Sequence, residues 1–264
     1  MGETRTSSKQ RKRRDAILAA VGERGTISVG ALADLLDVSM QTIRRDIDAL
    51  CENEGLRRKH GRIELNRKRL NTPFDQRADT NVLGKHAIGE AAALLIPNGA
   101  TLFLSIGSTP LSVARALLRR KELTVITNNL SAAMALSEEI SNRIILPGGE
   151  LRLPDRDILG SEVVDVMDRY RAEFAVFGVA GVAEDGGLLD FHTAEVQVRQ
   201  KMRENARTSI LVLDSSKFGR RAPALGGDIA DADHLVLDRL PEANFAPLVE
   251  RVGERLVLAE EALA

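Results

Sequence analysis

Two groups of residues in this chain have types and spacings suited to chemistry, and both suit a negatively charged partner. The first runs from Ser39 to Arg45. If Ile43 points inward, Gln41, Arg44 and Arg45 face the other way, with Thr42 beside them. A guanidinium donates in pairs to guanine and an amide does the same to adenine, so this set holds donors that read base edges in a DNA major groove. Arg57, Arg58, Lys59 and Arg62 follow as charges for backbone phosphates. Arg44 has a second reading as a phosphate contact, and Asp46 reads as a cap or ion-pair partner. The other group centres on Gly107-Ser-Thr-Pro110, between an apolar run and a helical stretch. Strand, glycine turn, helix is an anion cradle: Gly107 permits close approach, Ser108 and Thr109 bring hydroxyls, and Pro110 suits a first helical position that needs no N–H. Asn128 and Asn129, then Gly149 and Glu150, then Lys217, each stand just past the end of a further apolar run. Asn128 could instead close a turn, and Gly148 and Gly149 could serve only positive φ.

The elements that must position these groups follow from periodicity. Ile17, Leu18 and Val21 predict a first helix ending near Gly22 and Gly25. Ser28 caps a second carrying Ala31, Leu32, Leu35 and Leu36, and Ser39 caps a third from Met40 to Cys51. Ile43, Ile47 and Leu50 make one apolar stripe on that third helix. Residues 55–65 predict a hairpin anchored by Leu56, Ile63 and Leu65. The outline is a winged helix-turn-helix over residues 1–65. A polar linker over 66–75 leads to an α/β region over 76–264, expected to bind a small effector and to oligomerise. Its predicted elements are a helix near Gln76 to Leu95, strands at Thr101–Ile106, Leu123–Thr127, Arg143–Leu146 and Ser209–Leu213, and a helix from the Gly107 turn through Leu118. In open parallel sheets ligands bind beyond the C-terminal strand ends, where the polar groups stand; Lys217 would balance an anion there.

Composition narrows the classes. The chain has 264 residues, 44% hydrophobic and 28% charged, so it can bury a core and is not a disordered chain. No Trp and a single Tyr leave little for aromatic stacking on single-stranded nucleic acid. The one cysteine, Cys51, excludes an internal disulfide and a cysteine-rich zinc site, and fits a reducing cytoplasm. The basic, polar start and the lack of a long apolar run predict neither export nor membrane association. His60, His86, His192 and His234 are scattered, and no Ser-His-Asp, zinc or phosphate-loop spacing occurs; no metal or cofactor is expected. Residues 1–72 hold 16 Lys+Arg against 10 Asp+Glu, the rest 21 against 28, so net charges of +6 and −7 divide the chain. A basic small domain on an acidic larger one suggests that the first meets a polyanion.

The run Val38-Ser-Met-Gln-Thr-Ile-Arg-Arg-Asp-Ile-Asp-Ala-Leu50 resembles the recognition helix of DeoR-type bacterial transcriptional regulators. The later segments Ile106-Gly-Ser-Thr-Pro110, Ile126-Thr-Asn-Asn-Leu130, Gly148-Gly-Glu-Leu-Arg152, Asp185-Gly-Gly-Leu-Leu-Asp190 and Asp214-Ser-Ser-Lys-Phe-Gly-Arg220 resemble the effector domain of that family, most of all its glycerol-3-phosphate regulon repressor branch. The resemblance implies a ribose-5-phosphate-isomerase-like α/β effector-sensing domain. It also implies a repressor of a carbohydrate or polyol catabolic operon, bound to double-stranded operator DNA as a homodimer or homotetramer and released by a phosphorylated sugar or polyol. The phosphate would lie at Gly107 to Thr109, with Asn128, Glu150 and Lys217 near the rest of the ligand. Ser105 stands where the family commonly has Asp. Asp190 and Glu195 match family positions, whereas His192 and Ala194 replace Asp and His, and Arg199 replaces Lys. Two alternatives stay open: a sugar-phosphate isomerase-like enzyme using Glu150, Asp190 or Glu195 as base, and an architectural DNA-binding protein with no effector.

Overall fold

The computed structural model describes residues 13–14, 16–17, 20–21, 26–53, 56–59, 62–65 and 74–262, with backbone alone at 52, 53, 57, 59, 64, 65 and 261. The expected roles of Leu18, Gly22, Gly25 and residues 66–73, and of the side chains of Arg57, Lys59 and Leu65, lie outside the described residues. The chain forms two compact units, Met1–Leu70 and Asn71–Ala264.

In the first unit, residues 13–14, 16–17 and 20–21 are helical, followed by β1 (Thr26–Ser28), α1 (Val29–Leu36), α2 (Met40–Asn53), β2 (Leu56–Lys59) and β3 (Arg62–Leu65). Ser28 caps α1 by accepting from the Ala31 amide at 3.2 Å, and Asp37 ends it at φ +50°, so the turn to α2 takes three residues. The hairpin β2–β3 gains a strand that periodicity did not suggest: β1 pairs antiparallel with β3, Ile27 opposite Ile63. Three residues are too few to show alternation. Ile17, Val21, Ile27, Leu32, Ile43, Ile47, Leu50, Leu56 and Ile63 form one buried core, while Leu35, expected on the apolar face, is exposed.

The second unit begins with α3 (Phe74–Ala78) and α4 (Val82–Leu94), and continues through β4 (Thr101–Leu104), α5 (Ser108–Ala116), β5 (Thr124–Thr127), α6 (Leu130–Leu136), β6 (Arg143–Ile145), the small hairpin β7 (Leu151–Arg152) and β8 (Asp157–Ile158), α7 (Ser161–Asp168) and β9 (Ala172–Phe177). Next come β10 (Gly181–Val182), β11 (Gly187–Asp190), α8 (Thr193–Glu204), β12 (Ala206–Leu213), β13 (Ala224–Asp228), β14 (His234–Leu237), α9 (Ala246–Val252), β15 (Leu256–Leu258) and α10 (Ala259–Ala262). Seven strands make a parallel sheet in the order β15-β14-β12-β9-β4-β5-β6. Alternation along β4 sends Leu102 and Leu104 into a cluster with α4, α5 and α6, and Phe103 into one with α7 and α8. Both faces are thus covered by helices, as an all-parallel sheet requires.

The single helix expected near Gln76 to Leu95 is two. Asn81 adopts φ +50° between them, and its amide donates to Asp238 at 2.8 Å. Lys85 reaches back to the carbonyls of Arg77 and Thr80, satisfying the end of α3. The apolar spacing runs on through this break, so the pattern alone joins the pieces.

Candidate functional site

From β4 the sheet grows through β5 and β6 on one side and through β9, β12, β14 and β15 on the other. The loops after β4 and β9 therefore part, and a crevice opens outside their C-terminal ends. A pocket lies in that crevice. Residues 106–110 after β4, 178–180 after β9, Val212 and Lys217 at the end of β12, and Asp190, Phe191 and Glu195 line it. Arg77 of α3 and Asp155 and Asp157 of the β7–β8 hairpin complete the wall.

Gly107 is the N-cap of α5 at φ +117°, a conformation that favours glycine. It aims the first turn of α5 into the pocket, with Ser108 and Thr109 buried and Pro110 the third helical residue rather than the first, still within the turn whose N–H groups have no helical acceptor. First-turn amides have no acceptor within their helix, so this end offers donors and a partial positive charge to an anion. Asn129 fixes the loop from behind, its amide donating to the carbonyls of Ser105 and Gly107 at 3.3 Å each while its Oδ1 accepts from the Ala132 amide and caps α6. Asn128 pins the hairpin, donating to Ile158 O at 2.9 Å and accepting from Ile158 N at 3.1 Å through its own carbonyl. Ser105 is buried, its amide bonded to Val176 O.

Ser105, Asn128, Asn129, Gly149 and Glu150 lie outside the pocket lining; Gly107, Ser108, Thr109, Asp190, Glu195 and Lys217 line it. Gly149 has φ +132°, a Cβ there would meet Ile158 at 2.9 Å, and Glu150 is exposed.

The charges of the wall decide what it attracts. Each lining carboxylate has a guanidinium partner: Asp155 with Arg77 at 2.5 Å, Asp157 and Glu195 with Arg152 at 2.7 and 3.0 Å, and Asp190 with buried Arg199 at 2.9 Å. Lys217 takes part in none of the ion pairs among the described residues. Burial, and then the nearby cations Arg220, Arg77 and Lys85, push its pKa down to about 7, against the pull of Asp214. Burial also lowers Lys85 and raises Glu195. Asp157 and Glu195 share Arg152, so the pairs themselves leave no positive surplus; what faces an anion is local, the first-turn amides of α5 and the side chain of Lys217. Arg77, Asp155 and Asp157 went unnoticed in the sequence because Arg77 occupies an ordinary polar helix position and 152–157 reads as an alternating surface charge run.

In the first unit the α2 stripe is fully inward, with Ile43 and Ile47 at 0% exposure. Gln41, Arg44 and Arg45 are exposed, and Thr42 is half-buried. Ser39 caps α2: its Oγ accepts from the Thr42 amide at 3.2 Å and lies 2.9 Å from the Thr42 hydroxyl. Asp46 is buried against Arg13 and Arg14, joining the leading helical residues to α2. On the hairpin, exposed Arg58 pairs with Asp48 at 2.5 Å, and exposed Arg62 donates to Thr26 O at 3.5 Å. Among the described residues no helix is long and apolar enough to cross a membrane, and no cluster of residues has the makeup of a metal site.

A helix-turn-helix with an exposed Gln/Arg/Arg edge, carried on one chain with an α/β unit that holds a polar pocket, defines a class: a DNA-binding regulator of transcription with its own sensor domain. Comparison with known families agrees, the DeoR-like helix-turn-helix domain matching residues 13–69 and the DeoR C terminal sensor domain residues 80–239. The chain is 40% identical over 236 residues to the glycerol-3-phosphate regulon repressor of Escherichia coli K12, covering 89% of this chain and 94% of that protein. It is 39% identical to the protein of the same name from Haemophilus influenzae over 92% of this chain and 95% of that one, and 36% identical to the E. coli repressor CsqR over 94% and 95%. Among solved structures, ribose 5-phosphate isomerase A of Methanocaldococcus jannaschii overlaps 54% of this chain and 56% of its own at 18% identity and TM-score 0.39. The chain belongs to the DeoR family of transcriptional regulators. The relatives named above are transcriptional repressors.

Proposed function

We propose that the protein represses a carbohydrate or polyol catabolic operon in the cytoplasm and leaves its operator when a phosphorylated sugar or polyol enters the pocket. One observation carries the effector reading. The N-terminus of α5 and Lys217, which has no ion-pair partner among the described residues, converge on one pocket in which every lining carboxylate is bonded to an arginine. The phosphate lies at Gly107, Ser108, Thr109 and Lys217. Asp190 and Glu195 line the part left for hydroxyls, while Asn128, Asn129 and Gly149 shape the loops around it and Ser105 and Glu150 stand outside the lining. Residues 1–65 bind DNA, with Gln41, Thr42, Arg44 and Arg45 at base edges and Ser39, Arg57, Arg58, Lys59 and Arg62 at the backbone. Residues 66–75 link, and 76–264 sense and assemble a dimer or tetramer that presents paired recognition helices to repeated half-sites. The names of the relatives above support glycerol 3-phosphate as the first effector to try.

The test is fluorescence anisotropy on labelled fragments from upstream of the gene and its neighbours, titrated with glycerol 3-phosphate and a panel of phosphorylated sugars. Specific binding released by one compound is the expected result. Specific binding indifferent to the whole panel would remove the effector reading and leave the DNA reading standing.

A further inference from the structure

We infer that Arg77 of α3 is the residue through which an anion in the pocket acts on the rest of the chain: the anion draws its guanidinium away from Asp155 and loosens α3 against the β7–β8 hairpin. This rests on the pocket being an effector site and adds the route by which the effector is felt.

The free space enclosed in the pocket is about 40 Å³, room for roughly three waters. The pocket is open on one side, and a phosphorylated polyol seats fully within it only if part of the wall gives. Most of the wall is built into the core: residues 106–110 are locked by Asn129, residues 178–180 follow a central strand, and Asp190 is tied to Arg199. The hairpin is fixed at its base, where Ile158 bonds Asn128 and Leu130 N bonds Arg156 O at 3.0 Å. The remaining wall is α3, five residues long, anchored in the core by buried Phe74 and too short to hold its shape without its other contacts.

Those contacts meet the hairpin at few points. Phe74 N bonds Pro154 O at 3.1 Å, Asp75 pairs with Arg156 at 2.8 Å, Arg77 pairs with Asp155 at 2.5 Å, and the guanidiniums of Arg77 and Arg156 lie over the Phe74 ring at 5.8 and 5.6 Å. Of these groups, Arg77 and Asp155 face the pocket. The Arg77 Nε is buried and has no hydrogen-bond partner among the described residues, so one donor is left over that an anion can use. Lys85 and Lys217 crowd the same cation cluster, which further favours an anion beside Arg77. Lys85 holds the carbonyl end of α3, so loss of the Arg77 pair loosens the other end, where buried Phe74 keeps its bond to Pro154 O and the chain leads to the first unit, four residues back at Leu70.

Two variants of the full chain test this, Asp155→Asn and Arg77→Gln, with glycerol 3-phosphate and inorganic phosphate as calorimetric probes. Both break the Arg77–Asp155 pair, so both weaken binding to the operator fragment found above and speed amide exchange over residues 74–78. They part on anion affinity: Asp155→Asn, whose Arg77 no longer has a competing carboxylate, binds the anion about three- to tenfold more tightly, and Arg77→Gln binds it more weakly by a similar factor. General damage to the wall would weaken both. In the wild type, saturating anion speeds exchange over 74–78. The inference is overturned if both variants bind anion more weakly, if Arg77→Gln binds it as the wild type does, or if the wild type binds anion and releases DNA with exchange over 74–78 unchanged. If the wild type binds no phosphorylated compound, the effector reading fails, and this inference with it.

Discussion

At the scale of single residues, Lys217 has the most consequence. Its folded pKa of about 7 lies below the 10.5 of a free lysine, chiefly because it is buried. Between those values the unfolded chain binds the extra proton, so Lys217 adds stability above about pH 10.5 and loses it as pH falls towards 7. A phosphate in the pocket reverses the preference by favouring the ammonium, so binding takes up a proton above pH 7. Anion affinity should therefore fall with rising pH from 7 to 9, by at most tenfold per unit for one proton. Lys217→Met should bind the anion weakly with a flat profile and should be the more heat-stable protein at pH 7. Calorimetry in buffers of different ionisation enthalpy measures the proton directly; uptake that persists in Lys217→Met would assign the titration elsewhere. Gly107 to Thr109 and Lys217 were legible because a helix start and a lone lysine after an apolar run carry local signals. Arg77 and Asp155 were not, since what makes them notable is each other, 78 positions apart.

The elements show the same division. The α2 stripe and its Ser39 cap repeat over enough residues to be recognised, whereas β1 is three residues long and the hairpin strands β7 and β8 are two each, below any period. The break between α3 and α4 depends on Asp238, far along the chain. Asp190 shows how such distant ties set the site. One oxygen accepts from the Ala180 amide after β9 at 3.1 Å, and the other from Arg199 of α8, whose guanidinium also lies over Phe177. Asp190 thus joins β11, α8 and the loop after β9 behind the pocket. Removing one partner strands a buried charge, so Arg199→Met should cost about 3–5 kcal/mol in urea unfolding. Arg199→Lys, which places there the residue that the family resemblance implies, should cost less than Arg199→Met because it keeps the charge without the paired donors. A loss under 1 kcal/mol for Arg199→Met would mean that the pair contributes little to holding these elements.

Across the whole molecule, the charge division of +6 and −7 suits a chain that puts one unit against a polyanion and keeps the other away from it. Sensing then has to be a coupling between two bound partners, and coupling is reciprocal. If glycerol 3-phosphate, or whichever panel compound acts, weakens operator binding by some factor, operator DNA must weaken binding of that compound by the same factor. A coupling of 1–3 kcal/mol, about 5- to 150-fold, is the usual range. Two titrations check it: operator binding by anisotropy with and without saturating compound, and compound binding by calorimetry with and without saturating operator. Equal factors would establish a linked two-state regulator. If the compound releases DNA while its own affinity is indifferent to operator, the loss of DNA comes from somewhere other than binding at this pocket, such as competition of the anion for the basic unit. Arg77→Gln should bring both factors towards one together, because it removes the group that both ligands depend on.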